Sequence, residues 1–258
     1  MPPVTLAGSL RGGKVRAVFS QALRKETTPV QRVKFALFDF DGTLAPGDSI
    51  IPYLWYAWRR GKLPLLRLVV AAWAGMMPIL LPKRYTNTWA KNKALSFLQG
   101  HSVEEMDAFA LEFFHQRLEK RLFPAGMAEL RRLQREGYRL LLVSASPEVY
   151  MRAIGQALGF DAVLATPCGL GPDGQRYTGL VGENCKGVEK SLRIAAYLAA
   201  NHLELDWEES RAYGDSLSDV PMLTLTASPV CVNPRAKLRS ALPQAATVHW
   251  ERKEKKSK

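Results

Sequence analysis

The stretch VKFALFDFDGTLAPGDS, residues 33–49, sets an apolar run directly against two aspartates, Asp39 and Asp41, followed by Gly42 and Thr43. An apolar run of this length with aromatics, closed by a turn signal, reads as a buried strand. Similar runs recur far downstream at YRLLLVSAS (138–146), SRAYGDS (210–216) and SPVCVNP (228–234). Helical patterns separate them: GMAELRRLQREG (126–137), PEVYMRAIGQALG (147–159) and GVEKSLRIAAYLAANH (187–202). Strands alternating with helices predict a parallel sheet covered on both faces, an α/β fold. In such sheets ligands collect at the carboxyl ends of the strands.

Residues 48–125 interrupt the alternation. They are rich in Trp, strongly apolar in the middle and helical in pattern, so they read as an all-helical cap inserted after the first strand. The division that follows is a basic arm (1–30), a catalytic core from 31–47 plus 126–250, the cap (48–125) with an apolar hairpin at 63–82, and a basic tail (251–258). Cys168, Cys185 and Cys231 have neither paired nor metal-type spacing, which fits a reducing compartment. The first thirty residues lack a continuous apolar core, so no secretory signal is expected. The expected location is the cytoplasm, either free or peripheral on the inner face of the cell membrane.

A net charge of +12 points to anionic partners. No zinc-type cluster, Gly-rich phosphate loop or nucleic-acid module accompanies it, and no nucleic acid is expected as partner. The chemistry sits at the predicted strand ends: Asp39 and Asp41, then Ser144, then Lys186 and Lys190 in CKGVEK, then Asp215 and Asp219 in YGDSLSD. Crowded carboxylates repel one another unless a cation lies among them, and hard oxygen ligands favour Mg2+. A lysine and a hydroxyl can hold the remaining oxygens of a phosphate, so the set suits phosphoryl transfer.

Asp-x-Asp-Gly-Thr, strand-Ser, Lys and Gly-Asp-Ser-x-x-Asp, in that order over residues 33–242, resemble the haloacid dehalogenase-like phosphatases. The insertion between the first two motifs resembles the helical-cap class that includes phosphoserine phosphatase. The resemblance implies a Rossmann-like core and a Mg2+-dependent phosphomonoesterase. It implies Asp39 as nucleophile and Asp41 as general acid and then base, with the backbone carbonyl of Asp41 on the metal. It implies Asp215 and Asp219 as metal ligands with Asp39, and Ser144, Thr43, Gly42 and a lysine at the phosphate. The lysine stays open between Lys186 and Lys190, four apart and both able to face one side of a helix start. Other readings stand beside these. Asp41-Gly42 can be only a turn, Ser144 a strand end, and Asp219 a cap on a helix near Pro221. Ser146, before Pro147, reads as a helix N-cap.

For substrate recognition the resemblance singles out Asp48, which is equally an N-cap for SIIPYLWYAW. In place of the family's cap arginine stands Ala94, with Lys93 beside it. The segment LPLLRLVVAAWAGMMPILLP (63–82) is too short for a span, and the first two motifs must meet on one side of any membrane. Its flanks, with Trp55, Tyr56, Trp58, Arg59, Arg60 and Lys62 before and Lys83, Arg84, Tyr85, Trp89, Lys91 and Lys93 after, fit a helical pair lying on an anionic surface. A buried cap hairpin or a dimer contact fits it as well. The middle of the cap also loosely resembles that of bacterial phosphatidylglycerophosphate phosphatases. The expected substrate is thus a phosphorylated small molecule or a lipid phosphate. A basic, non-catalytic scaffold on a membrane or nucleic acid is the alternative from another class.

Overall fold

The computed structural model describes residues 30–81 and 86–252. The basic arm up to residue 29, the stretch 82–85 and the tail from 253 lie outside the described residues.

β1 (Gln31–Val33) leads into β2 (Phe35–Phe38), whose four residues are all buried. Phe35 and Leu37 enter one apolar cluster, and Ala36 and Phe38 the other. This period-two division, with both sets apolar, is what a strand covered on both faces requires. Five further parallel strands join it: β3 (Arg139–Pro147), β4 (Ala162–Thr166), β8 (Arg211–Gly214), β9 (Ser228–Val232) and β10 (Ala246–Val248). Their order is β10-β9-β8-β2-β3-β4. The chain moves from β2 to β3 on one side and later returns to β8 on the other. The carboxyl end of β2 is therefore the point at which the strand order reverses, where a crevice opens between diverging loops. Short β7 (Leu203–Leu205) pairs with β1 at the periphery.

The segment between β2 and β3 is helical throughout its described elements. It contains α1 (Ile50–Arg59), α2 (Leu65–Leu80), α3 (Asn87–Leu95) and α4 (Val103–Phe113), before α5 (Pro124–Arg135) returns to the core. Tyr53, Tyr56, Phe109 and Phe113 pack together with ring centroids 5.2 to 5.9 Å apart across α1 and α4. Two expectations need correction here. Residues 65–80 form one continuous helix and not a hairpin; the antiparallel partner is α3. Pro78 falls in the last turn, where it removes one helix bond and the helix ends two residues later at Leu80. Tyr56, assigned to an interfacial aromatic belt, is buried within the cap.

α6 (Glu148–Ala157) and α7 (Val188–Ala200) cover the sheet, followed by the short α8 (Val220–Leu223) and α9 (Ala236–Ala241). An antiparallel hairpin, β5 (Cys168–Leu170) with β6 (Tyr177–Val181), leaves the core and reaches the cap. The amide of Gly100 donates to the carbonyl of Tyr177 (2.9 Å), and that of Val103 to the carbonyl of Gln175 (2.8 Å). Asn92 accepts from the amide of Val181 at 2.6 Å. The cap thus bonds to chain that the sequence pattern assigns to the core.

Candidate active site

Asp39 leaves β2 with its amide donating to the carbonyl of Tyr213 (3.0 Å), which fixes it against the end of β8. Phe40, fully buried, anchors the turn between the two aspartates. The amides of Thr43, Leu44 and Ala45 all donate to the carbonyl of Phe40 at 2.9 to 3.2 Å. Asp39 and Asp41, on either side of that anchor, have separate surroundings.

Asp39 sits in a cluster with Asp215 and Asp219, one carboxylate oxygen of each lying within 4.8 Å of the others. Lys190 reaches up from the first turn of α7 and donates to Asp39 Oδ1 (2.6 Å) and Asp219 Oδ1 (2.7 Å). The Thr43 hydroxyl donates to the other oxygen of Asp39 at 3.3 Å. Lys190 is almost fully buried, so an unpaired ammonium there would be prohibitive. Burial opposes its charge, but Asp39 and Asp219 outweigh that and hold it protonated. Burial pushes the Asp39 carboxyl up, with Lys190 pulling against it and Asp219 adding repulsion. Asp215 is pushed up to about 6, by burial first and then by Asp219. For Asp219 burial acts upward, yet Lys190 and Ser216 outweigh it and the carboxyl lies below its usual range.

Three carboxylates against one ammonium leave an excess of negative charge in a desolvated pocket. That donor set, all oxygen and partly uncompensated, fits a hard divalent cation such as Mg2+. Asp39, Asp215 and Asp219 are the residues that could hold it.

Asp41 is turned away from this cluster. Its Oδ1 accepts from the amide of Ser49 (2.9 Å), and its Oδ2 from the Ser49 hydroxyl (3.1 Å) and the Ser146 hydroxyl. Burial raises it to about 6 against those bonds, so it can hold or release a proton near neutrality. Ser146 belongs to β3 and makes no cap bond: α6 starts at Glu148 with Pro147 at its N-cap. The N-cap expectation for Ser146 is therefore corrected, because the Asp41 carboxylate is a stronger acceptor within reach. The Asp219 side chain likewise makes no cap bond to the helix at Val220–Leu223. It accepts from the amide (3.0 Å) and hydroxyl (2.7 Å) of Ser216, closing a capping box on the short turn Leu217–Asp219.

These groups line one cavity of about 650 Å3, together with Gly42, Ser144 and Asp48. Ser144 is buried at the end of β3, where its hydroxyl accepts from the amide of Ser146 at 3.1 Å. Asp48 lines the mouth and also accepts from the amide of Ile50 (2.9 Å), so its two readings coexist. Lys186 lines the cavity but lies outside α7, cut off from the helix by Gly187 at φ +63°. Of the two lysines, it is Lys190 that contacts the carboxylates. Lys93 is exposed and is not among the lining residues. Lys91, assigned by its sequence to a membrane-facing flank, instead enters the cavity. It donates to Asn184 Oδ1 (2.6 Å) and to the carbonyl of Ala145. Ser49, Ser146, Lys91, Arg235 and Lys237 also line or shape the site without having been singled out as candidates. Their signal is absent locally because each comes into place through contacts far apart in sequence.

An oxygen-rich cluster beneath a helical cap, at the reversal point of a parallel sheet, gives this α/β fold a site suited to holding a phosphoryl group. The family model for haloacid dehalogenase-like hydrolase matches residues 36–224, and the chain belongs to that family. It is 29% identical over 242 residues to phosphoserine phosphatase SerB1 of Mycobacterium tuberculosis, covering 93% of this chain and 77% of that one. It is 29% identical over 210 residues to a histidinol-phosphatase of Neisseria meningitidis, covering 79% and 91%. A Bordetella pertussis structure of unknown function superposes with a TM-score of 0.73 at 27% identity, covering 85% of this chain and 98% of that one. The chain is accordingly a phosphatase of the phosphoserine phosphatase-like subclass, which sets aside the scaffold alternative.

Proposed function

We propose that the protein is a Mg2+-dependent phosphomonoesterase that works through an aspartyl-phosphate on Asp39. The observation that carries this is the cluster of Asp39, Asp215 and Asp219 around the Lys190 ammonium. A carboxylate oxygen of Asp39 attacks phosphorus while the bond to the leaving oxygen breaks, and Asp41 gives that oxygen its proton. A water then attacks phosphorus, Asp41 takes its proton, and the bond to Asp39 breaks to release inorganic phosphate. Mg2+, held by Asp39, Asp215 and Asp219, would supply charge neutralisation and a hold on the phosphate oxygens. Lys190 draws Asp39 toward its charged form against the upward push of burial and aligns it, and Ser49 and Ser146 hold Asp41 apart from the cluster. Ser144 and the Gly42-Thr43 turn border the place where the phosphoryl group would sit.

Two substrate classes fit the cavity mouth. A soluble small phosphomonoester is favoured by Asp48 and Lys91, which offer one group of each charge to an amino acid or polyol phosphate; the names of the phosphoserine and histidinol phosphatase relatives agree with it. A lipid phosphate at the inner membrane surface is favoured by the apolar outer face of α2. Hydrolysis of para-nitrophenyl phosphate is expected to require Mg2+, to stop with chelator and to return on adding Mg2+. Asp39→Asn is expected to lower turnover by about 1,000-fold or more, in line with removal of a nucleophile that acts as one unit with its base. Wild-type turnover in that variant would show the nucleophile to be wrong. A panel of soluble phosphomonoesters beside lipid phosphates in mixed micelles separates the two substrate classes by kcat/KM.

A further inference from the structure

α2 is apolar on almost every side but covered on only one. Ala71, Ala74 and Met77 are buried, and the helix packs on α3. The opposite face carries Leu66 (75 % exposed), Val69, Met76 and Ile79 (80 % exposed), while Trp73 packs edge-on against Trp89 of α3. Arg67 is its single charged residue. A helix apolar all round is normally buried, and an exposed apolar surface this continuous marks a contact site. The helix has 16 residues. At ~1.5 Å each it is about 24 Å long, less than the ~30 Å hydrocarbon core. Among the described residues no helix is long and apolar enough to cross a membrane.

Charge identifies what covers this face. Residues 49–103 contain eight lysines and arginines and not one aspartate or glutamate. Arg60 and Lys62 are paired with Glu112 and Glu105 of α4. Arg59, at the end of α1, and Arg67 have no carboxylate partner among the described residues. An apolar face set in a segment without negative charge is complementary to a surface that offers hydrocarbon behind a layer of anionic headgroups. A second copy of this chain would bring its own cations against these ones.

We propose that the outer face of α2 docks the cap onto an anionic lipid bilayer, the helix lying in the headgroup plane without crossing it. α3, between α2 and the cavity, carries Lys91 into the active site, so docking holds the catalytic mouth one helix away from the bilayer. This deepens the lipid-phosphate arm of the proposed function and rests on that reading for its purpose, though the docking itself is measured without catalysis.

The test floats the full chain with phosphatidylcholine vesicles, with and without phosphatidylglycerol as the anionic lipid. The wild type is expected to float with anionic vesicles and stay behind with neutral ones, with a blue shift of Trp emission. Leu66→Ser, Val69→Ser and Met76→Ser combined change only exposed side chains. They are expected to lower the bound fraction tenfold or more while leaving para-nitrophenyl phosphate turnover unchanged. A wild type that does not float, or a triple variant that floats equally, overturns the proposal. So does a wild-type dimer by light scattering that the triple variant converts to monomer, since the face would then be a self-contact. Loss of wild-type turnover alone would count against the phosphatase mechanism and not against docking.

Discussion

A β-carbon placed on Gly42 would lie 2.2 Å from Asp215 Oδ2, and the backbone there has φ +88°. Only glycine meets both demands, the left-handed turn and the close approach of a carboxylate. Gly42→Ala is therefore expected to push Asp215 away from Asp39 and to cost about 100-fold in kcat on an aryl phosphate, as an ångström-scale misplacement does. Circular dichroism should show the fold retained, and an alanine variant with wild-type kcat would refute the close-approach argument. The glycine was legible in the sequence as a turn residue, but its neighbour was not, because Asp215 approaches from the other side of the strand-order reversal. The same holds for the lysines. Lys186 and Lys190 look equivalent when both are placed on one helix face. The helix begins only at Val188, after the positive φ of Gly187, so Lys190 is in its first turn and Lys186 precedes the bend. Residues whose role depends on one local motif were readable; Ser146, whose role depends on Asp41, was mistaken for the cap that its neighbour Pro147 suggested.

Elements with a strong period were legible for a similar reason. β2, β3 and β8, with α5, α6 and α7, declare themselves through burial on one or two faces, and their predicted limits agree with those observed to within a few residues. The β5–β6 hairpin did not, being short, rich in glycine and bonded to the cap, so that no single face of it is apolar. Contacts between elements can also hang on one position. α6 lies on β4 through Gly155, where an added β-carbon would meet Val163 Cγ2 at 2.3 Å. Val163 is β-branched and has few rotamers in which to move aside. Gly155→Ala should gain about 0.5 to 1 kcal/mol of helix propensity, which a cost of about 1 to 3 kcal/mol from overpacking outweighs. Chemical denaturation reads this as a lower midpoint at unchanged slope. Adding Val163→Ala removes the clashing methyl, so the double variant should be less destabilised than the sum of the two singles. Strict additivity would show that helix and strand do not meet there.

For the whole molecule the consequential contact is the one joining cap to core across the cavity. Lys91 arrives from α3 of the cap and donates to the carbonyl of Ala145, near the end of β3, and to Asn184, before α7. Among the described residues it is the one cap cation that lines the catalytic cavity. Burial lowers its ammonium to about 8, against the attraction of Asp48 and Asp41 and with the repulsion of Lys186. The sign follows directly: below pH 8 the group is charged and attracts an anion, and above it the charge is lost. Inorganic phosphate, a product analogue that is already a dianion above pH 8, is expected to bind more weakly as pH rises through this range. Its competitive Ki should climb by roughly tenfold over the limb, about what one lost charge-assisted contact is worth. Lys91→Arg keeps its charge and should hold Ki flat to higher pH. Lys91→Met should start at the high Ki and show no limb at all. A limb that persists unchanged in Lys91→Met would assign the titration to another group and leave the cap without an electrostatic part in binding.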